Sequence, residues 1–141
     1  MFRFVILLAV VFISLGFWGC TPHASYEKSD CELFSGLGLI QANPAGVLDK
    51  RLEVQVSLRI CPPIDGLAEI TRKKIELKHN LLRLLSAKSE EQLKDPLRIE
   101  ILQQEIKELV NGEILKKGKA VEVFITRFEL LPLGLCIVLL S

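Results

Sequence analysis

The chain has 141 residues, of which 50% are hydrophobic and only 6% aromatic, and its 18 basic and 17 acidic residues leave a formal net charge of +1. This length is sufficient for one domain of ordinary size and an additional anchor segment. The balanced charge and the few aromatic rings argue against a nucleic-acid-binding protein, which needs clustered cations or rings on which bases can stack.

The N-terminal segment has the layout of an export signal. Arg3 gives a short positive region, residues 4–18 are almost entirely apolar, and Gly19-Cys20 precedes a polar stretch. This layout resembles the signal of a bacterial lipoprotein, in which Cys20 becomes the lipidated first residue. The alternative is an uncleaved helix, although the apolar run is shorter than the roughly 20 residues that cross a bilayer. We therefore expect residues 1–19 to be a signal peptide or membrane anchor, and either outcome tethers the chain to a membrane on its non-cytoplasmic side.

The cysteines and histidines suggest little further chemistry. With Cys20 assigned to lipid, three cysteines remain: Cys31, Cys61 and Cys136. At most one disulfide can form among them, and the simplest interpretation of Cys61 and Cys136 is that they are ordinary small buried residues. No C-x-x-C spacing occurs, and the two histidines have no neighbouring pattern that suggests zinc. We predict no metal and no cofactor.

The next segments are a tether and the start of the folded domain. Residues 20–35 are predicted to form a polar tether, and residues 36–131 the domain itself. A short apolar run flanked by glycines predicts a first strand near residues 33–41. The sequence Asn-Pro-Ala-Gly at 43–46 predicts a turn, because proline fixes φ and glycine permits a positive φ.

Residues 51–60 form the clearest predicted strand. Apolar residues alternate without error with polar ones, and the apolar set is Leu52, Val54, Val56, Leu58 and Ile60. A period of two over ten residues indicates one buried face and one face that is hydrated or meets a polar partner. Pro62 and Pro63 end the strand, since neither can donate a hydrogen bond to a ladder.

A long helix is predicted over residues 65–86. Its apolar residues recur at steps of three and four, which places them on one face: Leu67, Ile70, Leu77, Leu81, Leu84 and Leu85. Ser89 and Gln92 match a capping box that begins a short helical turn. Asp95-Pro96 then favours the start of a second main helix, which runs to about Val110 and stops at an Asn-Gly pair.

A basic link over residues 116–119 leads to the last strand, residues 120–131. Ideal alternation places Val121, Val123 and Ile125 on one face, and Phe124, Phe128 and Leu130 on the other. Apolar residues on both faces predict a central strand covered on both sides. Arg127 and Glu129 fall on the first face, where they mark either its polar end or a partner contact. The element order predicts an α+β domain, with two main helices packed on one face of a small antiparallel-type sheet and an N-terminal signal or anchor helix before it.

No catalytic motif is present in the sequence. There is no nucleophile elbow, P-loop, dinucleotide-binding glycine pattern or H-E-x-x-H. The acidic residues Glu90, Glu91 and Asp95 are best interpreted as a solvated helix corner, and His79 as an exposed helix residue. The link over 116–119 is best interpreted as a solvated hairpin, with contact to phospholipid headgroups as the alternative. We therefore predict no catalytic residue, and an exported enzyme is the least favoured hypothesis.

Residues 51–129 resemble the flagellar basal body-associated FliL family. The matching pieces follow in order: the strand LEVQVSLRI, the helix end LLRLLSAKSEEQL, the segment EIKELVN and the closing strand VEVFITRF. The resemblance implies a periplasmic domain of stomatin-like fold that forms homo-oligomers around or beside the stator units of the flagellar motor. It implies stator and basal-body proteins and the cell membrane as partners, and a role in motility rather than catalysis, with neither nucleic acid nor a small-molecule substrate.

The chain departs from the family pattern at both ends. The family usually has a single transmembrane helix after a cytoplasmic stretch, whereas Cys20 here suggests a lipoprotein-like variant. Residues 132–141 add an apolar tail that is too short to cross a bilayer and aggregation-prone if exposed. We expect this tail to be covered by its own domain, by a neighbouring subunit or by the membrane surface. Because fold alone does not decide function, a lipoprotein scaffold of another envelope or secretion assembly is the alternative.

Overall fold

The computed structural model describes residues 30–133 of the chain. The predicted signal or anchor over residues 1–19, the lipidation candidate Cys20 and the third cysteine, Cys136, lie outside the described residues. No helix within the described part combines the length and the apolar character that a membrane span requires.

Within this part, four strands form one antiparallel sheet: β1 (Glu32–Phe34), β2 (Leu39–Ala42), β3 (Lys50–Cys61) and β4 (Lys119–Pro132). β3 is the central strand, because β4 pairs along its whole length and β1 and β2 pair with separate parts of its other edge. The helices are α1 (Pro63–Arg72), α2 (Lys74–Ser86), α3 (Glu90–Lys94) and α4 (Arg98–Leu109), and a π-helical turn (Val110–Ile114) follows α4. The predicted α+β class is confirmed.

The predicted first strand over 33–41 forms as two shorter strands. Phe34 lies opposite Leu58 and Leu39 lies opposite Gln55, so the residues between β1 and β2 loop out of the ladder. Gly38, with φ of +69°, returns the chain to the sheet. β1 begins at Glu32, so the sheet includes three residues of the segment 20–35 that was predicted to be a polar tether.

β3 confirms the strand predicted over residues 51–60. Its apolar side chains are fully buried against the helices, together with Ile70, Leu77, Leu81, Leu85 and Ile106. The opposite face carries Arg51, Glu53, Gln55, Ser57 and Arg59; no helix of residues 30–133 packs on it, and we call it the open face. It is polar but less hydrated than predicted, because Glu53 and Ser57 are buried.

β4 is an edge strand, and the prediction of a central strand covered on both sides is wrong. Among the described residues it pairs with β3 alone. A bulge at Thr126 places one extra residue in the strand and shifts the alternation of its side chains. After the bulge, Phe128 and Leu130 face the helices, whereas Arg127 and Glu129 lie on the open face. Phe128 and Leu130 are therefore on the face predicted for Arg127 and Glu129, and the reverse holds as well.

The helix predicted over residues 65–86 is divided at Lys73 into α1 and α2. Lys73 has φ of −95° and ψ of 15°, outside the helical region. The apolar stripe has a gap at this point, because two lysines occupy residues 73 and 74. The Lys73 ammonium instead donates to Glu69 Oε1 at 3.2 Å and to the Ile114 carbonyl at 2.6 Å. The break therefore falls where polar contacts replace apolar packing.

The corner between the helices forms in part as the sequence predicted: the capping box is present, but α4 begins at Arg98, two residues after Pro96, with Leu97 at its N-cap and no side-chain cap. The Ser89 hydroxyl accepts the backbone N–H of Gln92, and the Gln92 side chain accepts the N–H of Ser89, which completes the capping box. Asp95 Oδ1 accepts the N–H of Leu97 at 2.7 Å. The second main helix does not stop at the Asn-Gly pair, since the π-helical turn continues through it and buries Ile114.

A disulfide joins Cys31 and Cys61, whose Cα atoms lie 4.5 Å apart. It connects the residue that precedes β1 to the last residue of β3. The interpretation of Cys61 as an ordinary buried residue is wrong: the side chain is buried, but it is covalently paired. Register on the other edge of β3 places Lys119 opposite Cys61, so the start of β4 lies beside this bond.

Candidate interaction surface

Of the acidic residues at the helix corner, Glu90 and Asp95 have structural partners, whereas Glu91 is exposed. Glu90 accepts hydrogen bonds from Lys94 and Lys50, and these bonds lower the pKa of the Glu90 carboxyl. His79 is exposed on α2. Within residues 30–133, no group of three or more histidine, cysteine or acidic side chains is arranged to hold a metal ion. The contacts of Glu90 and Asp95 therefore hold the helix corner together.

Glu53 is the centre of the open face. Its side chain is 4% exposed, and β3 places it opposite Gln41 of β2. Gln41 Nε2 donates to Glu53 Oε1 at 2.8 Å, and Arg51 Nη2 donates to the same oxygen at 3.2 Å. The second carboxylate oxygen lies 3.2 Å from Arg127 Nη2. Both oxygens are thus satisfied, which a buried carboxylate requires.

Arg127 links this buried carboxylate to the surface. Its guanidinium donates to Glu129 at 2.7 Å, and this bond, together with the charge of Glu53, raises the pKa of Arg127. About two fifths of the Arg127 side chain remains exposed. The interpretation of Arg127 and Glu129 as the polar end of an apolar face is therefore wrong. They form one network with Glu53, and they present a fixed cation and a carboxylate outward.

A second network lies further along the open face. Arg59 on β3 forms an ion pair with Glu122 on β4, and its guanidinium carbon lies 5.2 Å from the centre of the Phe124 ring. At this distance a guanidinium is attracted to the ring face. Arginine and aromatic side chains that are held in place in this way are the residues that protein interfaces favour. The open face has the composition of a binding surface.

The basic link over 116–119 is anchored at its backbone. Glu69 on α1 is 5% exposed, and its Oε2 accepts the N–H groups of Lys116 at 2.8 Å and Lys117 at 2.9 Å. These two bonds, helped by the Lys73 ammonium, lower the pKa of Glu69 from 4.5 to about 2. The prediction of a solvated hairpin is correct for the exposed side chains of Lys116 and Lys117 but wrong for the backbone, which Glu69 holds against α1.

Two glycines make this contact possible. A Cβ on Gly118 would lie 2.6 Å from the Cα of Gly66, and one on Gly66 would lie 2.3 Å from a methyl carbon of Ile60. The link and α1 therefore touch backbone to backbone over β3, at a separation that only glycine permits.

A groove lies on the helix side, between the start of α4, α3 and β4. Its apolar walls are Leu93, Ile101, Leu102 and Phe128, and its volume is about 80 Å³. Arg98 covers the Phe128 ring at 5.6 Å. We call this feature the corner groove. Ile101 and the neighbouring Leu97 are 46% and 60% exposed, and the polar side chains of Lys88, Gln92, Asp95 and Arg98 also line the groove.

Sequence reasoning did not single out Glu53, Glu69 or the Cys31–Cys61 pairing. The spacing of Glu69 and Lys73 matches an i, i+4 ion pair, and this was the available signal for Glu69. No local signal marks Glu53, because strict alternation assigns it to a hydrated face.

Comparison with known proteins adds one finding. Residues 40–129 match the family model described as flagellar basal body-associated protein FliL. The match begins in β2, ends in β4 and contains all the described helices, so it covers well over half of the chain. No curated protein is similar enough to the chain to count as a match.

Proposed function

Because this chain belongs to the FliL family of flagellar basal body-associated proteins, we propose that it is a non-catalytic structural component that associates with the stator units and supports flagellar rotation. The observation that carries this proposal is the match over residues 40–129, which coincides with the sheet and its helices. The structural pairing of Glu53, Glu69 and Glu90 with nearby donors also favours a scaffold over an enzyme.

We place the domain in the periplasm, tethered to the cell membrane by a lipid on Cys20 or by a retained N-terminal helix. The layout of residues 1–19 supports export. The Cys31–Cys61 disulfide supports the same compartment, because disulfides persist in oxidising environments such as the bacterial periplasm and are rare in the cytosol.

We assign the open face to the contact with the extracytoplasmic part of a stator unit. None of the described helices covers this face, and it carries cations and carboxylates of both networks in fixed positions. A polar partner whose charges alternate in sign fits such a face. A partner that placed a cation opposite Arg127 or Arg59 would be repelled. Homo-oligomers, which the family resemblance implies, would repeat this face around the partner.

Deletion of the gene tests the proposal. Cells should assemble filaments of normal length by microscopy, but tethered cells should rotate more slowly under high viscous load, and the wild-type gene should restore their speed. Complementation with Phe124→Ala, which removes the ring beside Arg59, should restore speed only in part. A matched control is Leu48→Ala, an exposed side chain outside the sheet, which should restore it fully. Unchanged speed in the deletion strain would refute the motor role.

The alternative is a lipoprotein scaffold of another envelope or secretion assembly. Gly19-Cys20 and the apolar residues 132–141 favour it, because both depart from the family pattern. The same deletion strain separates the two proposals. A defect in envelope integrity or secretion, combined with normal rotation under load, would support the alternative.

A further inference from the structure

We propose that the C-terminal apolar segment, residues 135–140, docks in the corner groove of its own domain. This proposal is independent of the flagellar role, because it depends only on the groove, the end of β4 and the composition of the tail. It defines an intramolecular binding site for an aliphatic segment.

The apolar part of the groove is open to an aliphatic side chain. Phe128 and Leu102 form its floor, and Leu97 and Ile101 extend the apolar surface to the solvent at 60% and 46% exposure. A contiguous exposed apolar patch with a polar rim is typical of a binding site. The volume of about 80 Å³ is roughly half that of a cavity that accepts benzene, so it has room for one aliphatic side chain.

The end of β4 is connected to the groove through a short series of contacts. Leu133 N–H donates to the Asp49 carbonyl at 2.6 Å, and Pro132 lies opposite Lys50. Lys50 in turn binds Glu90, the first residue of α3, at 3.2 Å, and α3 supplies Leu93 to the groove. The point at which β4 ends and the groove wall are therefore linked through Lys50.

The chain after Leu133 is long enough to return. Phe128 lies five positions before Leu133, about 17 Å along an extended strand. Residues 134–141 can span roughly 26 Å when extended. Gly134 permits the reversal of direction that docking requires. A segment on so short a connection has an effective concentration in the millimolar range, which favours its own groove over that of a second copy.

The chemistry of the segment matches the site. Residues 135–140 read LCIVLL and carry no charge, so docking brings no charge next to Lys88, which lines the groove and pairs with Glu105. Burying these side chains also removes an aggregation-prone segment from solvent.

Disulfide trapping with the native Cys136 tests the proposal in the full-length protein. Ile101→Cys places a thiol in the groove, and Leu97→Cys places one on its rim. After mild oxidation, trypsin digestion and mass spectrometry should detect a bond between residues 99–107 and residues 128–141 of one monomeric chain in the Ile101→Cys protein. The matched control is Ile75→Cys, an 86% exposed site on α2 outside the groove. We expect roughly fivefold or greater yield for Ile101→Cys over this control.

Three outcomes would overturn the proposal: equal yields at the groove and at Ile75, bonds found only in disulfide-linked dimers, or no bond from either groove variant. A second measurement guards against a local disturbance by the new cysteine. Deleting residues 134–141 from the otherwise unchanged protein should uncover the groove and raise binding of a hydrophobic dye severalfold. Unchanged dye binding would also count against docking.

Discussion

Removing the Cys31–Cys61 bond should destabilise the domain by an amount that can be worked out from its position. The bond joins residues separated by 30 positions. In the chain-entropy model, closing a loop of this length lowers the free energy of folding by about 3.6 kcal/mol at 25 °C. Small domains have total stabilities of about 5–15 kcal/mol, so the bond accounts for a large share. We expect Cys31→Ala/Cys61→Ala to lose about 3–4 kcal/mol.

Urea unfolding of the full-length protein in detergent, followed by circular dichroism, measures this loss. Treating the wild-type protein with a reductant should reproduce the shift of the double variant. The same reductant should leave the double variant unchanged, and this comparison controls for effects on the other cysteines. A loss below about 1 kcal/mol would show that the unfolded chain gains little freedom when the bond is absent, and would refute the entropic reasoning.

Three further predictions concern the core, the link and the anchor. Leu85→Ala removes a fully buried side chain and should cost about 2–5 kcal/mol in urea unfolding. The half-buried Leu84 should cost less when changed to alanine, and equal losses would contradict the assigned helix face. Because the pKa of Glu69 is about 2 in the folded chain and ordinarily 4.5, its stabilisation should be complete above about pH 4.5 and decline as pH falls toward 2. Glu69→Gln should flatten this part of the acid-unfolding curve, whereas the exposed Glu91→Gln should not; identical curves for the two variants would exclude the link contact. Palmitate should label the wild-type protein and not Cys20→Ala, and equal labelling would rule out lipidation at Cys20.

The sequence predicts the fold well wherever the signal is local. The alternation in β3 and the Ser89–Gln92 capping box depend on residues within a few positions of each other, and both form as predicted. β4 shows the limit. The bulge at Thr126 arises from its register against β3, and one extra residue exchanges the faces of every residue after it. No pattern within β4 itself could reveal that exchange.

The interaction surface was less predictable, because each of its parts joins distant segments. Glu53 is buried by side chains from β2 and β4, and Glu69 binds the link that follows the last helical turn. The cysteine count limited the chain to one disulfide but could not choose Cys31 and Cys61 as its partners. The family resemblance over residues 51–129 was the strongest functional signal, and the match over residues 40–129 confirms it.

The position of the Cys31–Cys61 bond also determines how tension on the N-terminal segment would reach the domain. β1 contributes only three residues to the sheet, and a pull transmitted through it alone would peel its pairs from β3 one at a time. The disulfide instead passes the load covalently to the end of β3. That strand is held by β4 along its whole length and by β2 on its other edge. A pull on the chain before Cys31 would therefore act on the best-supported strand of the sheet and would bypass the short β1.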